Sequence, residues 1–403
     1  MTARPRLLIL GASTRAAAWS ARRAGYQPVC VDSFLDADLR SIAEVHPLAT
    51  YPDGFVSAVA DLPPTPWIYT GGLENYPDII AEISAIHPLY GNGPEQLRFV
   101  RDPFRLDRFY ERHSIPHLRV APSHAPPPAD GTWLLKPLKS SGGSRIIRWN
   151  RSATDSPVLQ SQHYFQEYRT GKPCSALYLA STNQTDLIAT FEQLVGHPER
   201  GDLPPFLYRG SLFPASLPQT FMANLARIGS TLAADASLQG LFGIDFIWSG
   251  ETFGSKESLW PVEINPRYTS SLELFEFATG RPLLADHCTC FSESQASTSI
   301  DGSSSGLPHP IFAKQIAYSQ VPLRIDSPLT SSPDQYSAPD RYSPWQFPAL
   351  ADIPPRGTEI PRGEPVCTLY TNAPDRATAL QNLAAAESSL LRRLGLPAPP
   401  VED

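Results

Sequence analysis

The sequence predicts an α/β protein: a parallel strand–helix domain first, then a mixed α+β region, then a small β-rich tail. Three observations predict it. Residues 6–10 form an apolar run that passes through Gly11-Ala12-Ser13 into a helical pattern, and a second apolar run follows at 28–32. That order opens a parallel sheet. Residues 132–137 and 144–149 are two strand-like runs around a Lys-Ser-Ser-Gly-Gly turn, which suits a hairpin. Two later apolar runs, 241–248 and 260–265, each carry an acid where a hydrophobe is expected.

The remaining elements follow in order. Residues 66–70 read as a strand ending in Gly71-Gly72, and 77–86 as a helix. The spacing over 97–113 predicts one helix with Phe99, Leu106, Phe109 and Tyr110 as core residues. Pro126-Pro127-Pro128 reads as a linker. Strands are expected at 163–168 and 175–182, a helix at 220–236, the two acid-bearing strands, and a helix at 272–278. The Ser- and Gly-rich stretch 292–306 and the Pro-rich stretch 327–344 read as loops. A strand at 311–318, short strands around turns within 352–370, and a helix at 375–394 complete the chain. Domains are expected at 1–95, 96–290 and 291–403.

Composition narrows the function classes. The chain has 403 residues, 41% of them hydrophobic, which suits packed globular domains. A net charge of -7, with no basic block, argues against nucleic acid as a partner. No run of apolar residues is long enough for a membrane span, and the apolar run at the start is too short for a signal peptide. A cytoplasmic location is expected. The five scattered cysteines fit reduced thiols, and His287-Cys288-Thr289-Cys290 lacks a second pair at zinc-ligand spacing.

Few lysines are present, and two of them, Lys136 and Lys139, stand three apart just before the glycine pair of the hairpin turn. A lysine at the end of an apolar strand offers charge to phosphate oxygens. A glycine-containing turn beside it can bring backbone N–H groups close to the same oxygens. An ordinary hairpin turn has the same residues. Glu263 and Asn265 lie two apart on one strand and face the same way, and Asp245 sits in the other strand, with Arg267 beyond. Oxygens converging in this way suit Mg²⁺; the alternative is a polar stripe facing solvent. Converging carboxylates also repel, so neutralising either is expected to stabilise the empty protein. Tyr164-Phe165-Gln166-Glu167-Tyr168 runs into a polar break that offers backbone groups to a base edge. His197, in a segment that reads as a loop before the acid-bearing strands, faces either an acceptor substrate or solvent.

The order of these pieces resembles the ATP-grasp superfamily: Lys136 with its Gly142-Gly143 turn, then Phe165-Gln166-Glu167-Tyr168, then Asp245, then Glu263-Ile264-Asn265-Pro266-Arg267. It looks most like the carboxylate–amine ligase and biotin-carboxylase-like branch. The resemblance implies a two-lobed nucleotide-binding domain using ATP and Mg²⁺, with Mn²⁺ as a substitute. It implies that Lys136 binds phosphates, that Ser140, Ser141, Gly142, Gly143 and Ser144 cover them, and that Gln166, Glu167 and Tyr168 form an adenine hinge. Asp245, Glu263 and Asn265 would hold the metal, and Arg267 would stabilise the transferring phosphate.

Two positions depart from the family. Arg101 stands where an early lysine is usual and is expected to serve in its place as a nucleotide-binding residue, and Lys172-Pro173-Cys174 stands where an acid for the ribose is common, which leaves the ribose contact open. The implied reaction joins a small-molecule carboxylate to an amine, with no nucleic acid or membrane partner and a homodimer allowed. Within the branch, the chain looks like ligases that join glutamate to an amine in methanofuran-type cofactor synthesis. Two other readings stand beside it. A non-catalytic ATP-binding protein on the same fold is one. A NAD(P)-dependent oxidoreductase is the other, although Gly11-Ala12-Ser13-Thr14-Arg15-Ala16 lacks two of the dinucleotide-binding glycines.

Overall fold

The computed structural model describes residues 4–151, 162–196, 203–250, 258–292, 310–329 and 343–396. The first unit contains β1 (Arg6–Leu10), α1 (Arg15–Arg23), β2 (Gln27–Asp32), α2 (Ala37–Arg40), β3 (Glu44–Pro47), α3 (Gly54–Val59) and β4 (Trp67–Tyr69). The strands form a parallel sheet in the order β3-β2-β1-β4. Leu7, Leu8, Ile9 and Leu10 are all fully buried, because both faces of β1 are covered. A single 3-10 turn, Leu73–Asn75, leads into α4 (Pro77–Ser84).

The helix expected over 97–113 is two helices, α5 (Pro94–Val100) and α6 (Pro103–Arg112). Pro103 has no N–H to donate and disfavours helical backbone at the residue before it. Asp102 is therefore extended, and its side chain caps α6 by accepting from the N–H of Phe104 (2.9 Å) and Arg105 (3.2 Å). The break leaves Arg101 at the end of α5, free to turn inward.

A four-stranded antiparallel sheet forms the small lobe: β5 (Val120–Pro122), β6 (Asp130–Pro137), β7 (Ile147–Asn150) and β8 (His163–Glu167), in the order β5-β8-β6-β7. Its core is Trp133, Leu135, Trp149 and Phe165. The large sheet begins with β9 (Lys172–Ala180), β10 (Thr185–Val195) and β11 (Tyr208–Phe213). Neither β10 nor β11 is expected from the sequence pattern. After α7 (Gln219–Ala236) come β12 (Gly240–Ser249) and β13 (Ser258–Asn265), then α8 (Leu272–Thr279) and α9 (Leu283–Thr289).

The tail contributes β14 (Ile311–Tyr318), β15 (Leu323–Arg324), β16 (Leu350–Ala351), β17 (Glu359–Ile360), β18 (Pro365–Ala373) and α10 (Arg376–Arg393). β14, β18 and β16 continue the large sheet, whose order is β13-β12-β9-β10-β11-β14-β18-β16. Alternation along β9 sends Leu177 and Leu179 to a core shared with Ala17, Ala18 and Ala21 of α1. Ala176, Tyr178 and Ala180 face a second core with α7. The first unit thus packs directly on the sheet that carries the acids. Among the described residues, no helix is long and apolar enough to cross a membrane.

Buried charge ties the tail back to the start. Arg15 of α1 donates to Asp352 (2.8 Å), to Glu273 of α8 (2.8 Å) and to the Tyr370 hydroxyl (2.9 Å). Lys314 of β14 also meets Glu273 at 2.7 Å. Burial alone would raise the Glu273 carboxyl, but Arg15 and Lys314 hold it far below the usual carboxylate range. His287 accepts from the Leu241 N–H at 2.8 Å, and its other ring nitrogen lies 2.9 Å from the Tyr90 carbonyl, so both nitrogens are used structurally. Glu273→Gln should strand Arg15 and Lys314 without their shared partner and lower stability by about 3–5 kcal/mol. The depressed acid stabilises the fold above the unfolded glutamate value, about 4, and that contribution fades as pH falls below it. Urea midpoints of wild type and Glu273→Gln should therefore differ widely at pH 7 and less at pH 3, where the acid is still ionised in the folded protein but mostly protonated in the unfolded chain.

Candidate active site

One cavity of about 850 Å³ opens between the small lobe and the large sheet and extends to the first unit. On the small-lobe side, Lys136 stands at the end of β6, buried, and its Nζ donates to Gln166 Oε1 at 2.9 Å. Gln166 in turn donates to the Val262 carbonyl at 3.3 Å, so the side chain of this residue links the two sheets. Gly142 and Gly143 have left-handed φ of +64° and +72°. A Cβ on Gly143 would lie 1.8 Å from the Phe206 carbonyl oxygen, so that turn needs glycine for space as well as conformation. Ser141, Gly142 and Gly143 line the cavity. Ser144 closes the turn by donating to the Ser141 carbonyl (3.1 Å), and the Ser140 carbonyl accepts from Asn75 (3.0 Å) and Arg101 (3.2 Å).

Gln166, Glu167 and Tyr168 also line the cavity. The N–H groups of Glu167 and Tyr168 already donate to Arg119 O (2.9 Å) and Thr132 O (2.8 Å). Of these two residues, only carbonyl oxygens remain for a base edge. The Arg148 guanidinium lies 3.9 Å from the centre of the Tyr168 ring and makes a stacked wall beside them. Lys172, in the position doubted for ribose, lies 3.5 Å from Glu192.

The opposite wall is the β12–β13 pair. Their antiparallel register sets Asp245 opposite Glu263 and Gly243 opposite Asn265. Asp245 accepts from Gln193 Nε2 at 2.9 Å and from Asn265 Nδ2 at 3.0 Å. Burial, with the neighbouring Glu263 charge adding to it, pushes the Asp245 carboxyl up to about 7. Glu263 goes the other way. Burial would raise it, but Arg101, Lys136 and Arg267 together hold it below its ordinary value. Two acids, an amide oxygen and a lysine on one cavity make a donor set of hard oxygens beside a cation. That set fits a divalent ion shared with phosphate, and Asp245, Glu263 and Asn265 are the residues that could hold it.

Arg101 does not stand on the wall of this cavity. It lies behind Glu263, donating to Glu263 Oε1 at 2.5 Å, to the Ile264 carbonyl at 3.0 Å and to Asn75 Oδ1 at 2.9 Å. It is placed to hold an acid rather than to reach a nucleotide directly. Arg267 does line the cavity. Its Nη2 donates to Asn265 Oδ1 (3.0 Å) and to Glu74 Oε1 (2.8 Å), and its Nη1 to the Tyr268 carbonyl (3.0 Å).

The far end of the cavity meets Ser13, Arg15, Lys314, Asp352 and Thr368. The structure thus brings together most of the expected residues. It also adds Gln193, for which the sequence offers no role, and Glu74 and Asn75, which the sequence places in a polar substrate loop without a role for either residue. Gln193 was hidden because β10 was missed. Glu74 and Asn75 follow Gly71-Gly72 in a polar loop, but nothing local says what they face. His197 lies outside the described residues.

The family model described as "ATP-grasp domain" matches residues 102–271. No curated protein matches the chain. Among solved structures, one similar fold is the biotin carboxylase domain of the Hydrogenobacter thermophilus 2-oxoglutarate carboxylase, solved with MgADP, ADP and bicarbonate. It is 12% identical with a TM-score of 0.70, over 96% of this chain and 90% of that one. The L-amino acid ligase of Bacillus licheniformis is 11% identical with a TM-score of 0.67, over 96% of this chain and 98% of that one. The N5-carboxyaminoimidazole ribonucleotide synthetase of Thermus thermophilus is 16% identical with a TM-score of 0.61, over 98% and 100%. At these identities the likeness is one of fold.

The two acids should behave differently in the empty protein, contrary to the expectation that neutralising either one stabilises it. Glu263 is a satisfied partner of Arg101, whereas Asp245 is raised by burial and by Glu263. Glu263→Gln should therefore lower stability by about 1–3 kcal/mol, while Asp245→Asn should stay within about 1 kcal/mol of wild type. Urea midpoints without nucleotide or metal give both values. A more stable Glu263→Gln would show that repulsion, and not the Arg101 pair, dominates.

Proposed function

The chain carries an ATP-grasp domain over residues 102–271, and from that premise we propose that it is an ATP- and Mg²⁺-dependent ligase joining a carboxylate to an amine. The observation that carries this reading is convergence. Lys136 from the small lobe and Asp245, Glu263, Asn265 and Arg267 from the large sheet meet on one cavity. The likeness of fold to a 2-oxoglutarate carboxylase domain solved with MgADP supports nucleotide binding by this chain.

In the proposed reaction a substrate carboxylate oxygen attacks the γ-phosphorus of ATP, the bond to the β-phosphate oxygen breaks, and ADP leaves. The amine then attacks the acyl carbon, phosphate leaves with its electron pair, and the amine loses a proton. Lys136 places positive charge beside the phosphates, and the Ser141–Gly143 backbone covers them. Asp245, Glu263 and Asn265 would hold Mg²⁺, which supplies positive charge to the phosphate oxygens when bound; Mn²⁺ is a candidate substitute. Arg267 meets negative charge as it develops on the transferring group. Arg101 keeps Glu263 ionised and in place. Positioning and electrostatics dominate, and little covalent work falls to the protein.

For the finer identity we propose glutamate as one substrate and a C1-carrier cofactor as the product's destination, on the resemblance to ligases of methanofuran-type cofactor synthesis. The cytoplasm is the expected compartment.

A screen for ADP release from MgATP with pairs of carboxylates and amines tests the reading. Release should require both partners, and hydroxylamine in place of the amine should yield a hydroxamate from the acyl phosphate. Arg267→Lys keeps the charge but loses the planar fork. It should retain the thermal shift given by MgATP while turnover falls about tenfold or more, a loss of about 1.4 kcal/mol. ADP release that needs no acceptor pair, or unchanged turnover in Arg267→Lys, would count against the ligase mechanism or against Arg267 respectively.

A further inference from the structure

The Gly71–Asn75 loop belongs to the first unit, outside the matched domain, yet it is built into the phosphate end of the cavity. Asn75 accepts from Arg101 (2.9 Å) and donates to the Ser140 carbonyl at the head of the glycine turn (3.0 Å). One residue earlier, Glu74 meets Arg267 at 2.8 Å. The loop is shaped for this approach. A Cβ on Gly71 would stand 3.1 Å from Arg267 Nη2 and 3.3 Å from its Cζ, so only a bare backbone lies comfortably against the guanidinium. Gly72 has a left-handed φ of +99°, and a Cβ there would stand 2.3 Å from the Tyr51 hydroxyl. Gly72 is needed for the backbone turn that brings Glu74 back toward the sheet, while a side chain at Gly71 would press on the guanidinium.

Glu74 is 1% exposed, and it is not on the cavity wall. Its Oε1 accepts from Arg267, while its Oε2 and the Arg267 Nε are both buried and make no hydrogen bond among the described residues. Only one arm of a possible carboxylate–guanidinium fork is made. A buried carboxylate left half satisfied is a poor device for stability. It is a good device for fixing the plane of an arginine whose opposite side faces a cavity.

We infer that Glu74 is the positioning residue for Arg267: from the first unit, it orients the guanidinium toward the transferring phosphate. This rests on the phosphoryl-transfer reading above. Glu74 touches no substrate in it. It acts through Arg267, so its effect belongs to the transition state and not to nucleotide binding. The first unit then does more than frame a substrate cleft, because its loop sets the geometry of a group on the large sheet.

The test needs no acceptor substrate. MgADP binding is measured by calorimetry with and without fluoroaluminate, which mimics a phosphoryl group in flight. In wild type, fluoroaluminate should tighten MgADP binding. In Glu74→Gln that gain should fall by fivefold or more, while binding of MgADP alone stays within twofold. Glu74→Asp should recover part of the gain, and Gly71→Ala, whose methyl would press on the same guanidinium, should lose part of it too. In an Arg267→Lys background, Glu74→Gln should add less than twofold.

A full or enlarged gain in Glu74→Gln overturns the inference and leaves the ligase reading standing. So does a loss that adds fully to that of Arg267→Lys, or a loss of MgADP affinity together with a lower melting temperature in both Glu74→Gln and Gly71→Ala. Wild-type protein that binds MgADP without any gain from fluoroaluminate removes the phosphoryl-transfer reading and this role with it.

Discussion

Asp245 and Glu263 face each other across two apolar strands, and much of the molecule is arranged to make that pair tolerable. Two carboxylates at opposed positions of an antiparallel pair repel, and burial sharpens the repulsion. The fold answers asymmetrically. Glu263 is met by Arg101, Lys136 and Arg267 and stays ionised, while Asp245 is met by the amides of Gln193 and Asn265 and drifts up to about 7.

The partners come from every part of the chain. Arg101 ends α5 because Pro103 breaks the helix after it. Lys136 ends β6 in the small lobe, and Gln193 lies on β10. Arg267 follows β13 and is steadied from behind by Glu74 of the first unit. The buried network of Arg15, Glu273, Lys314 and Asp352 closes the far end of the same cavity and joins the tail to the start. Holding one site therefore requires all three regions to pack as they do.

The architecture and the main site were readable because they are written locally. An acid inside an apolar strand is odd wherever it occurs, which exposes Asp245 and Glu263, and a lysine before a Gly-Gly turn marks Lys136 in the same way. The parallel opening was readable from its strand–turn–helix order. What could not be read depends on contacts between distant segments. Gln166 reads in the sequence only as part of a base-binding hinge, and the bridge its side chain makes between Lys136 and Val262 is not foreseeable there. Arg101 looked like a nucleotide ligand, yet it serves Glu263. Glu74 looked like one polar residue of a substrate loop, and nothing local pointed to Arg267. The break at Pro103 was readable in principle, since proline disfavours helix at its predecessor, but the apolar spacing on either side outweighed it.

Amide hydrogen exchange with and without MgADP tests the central claim, that one nucleotide site is assembled from the small lobe and the acid-bearing strands together. Bound nucleotide should slow exchange in three segments at once: 133–145 with its glycine turn, 240–249, and 258–268. Protection confined to one of the two sheets, or lying wholly outside these segments, would contradict a site built on Lys136, Asp245, Glu263 and Arg267.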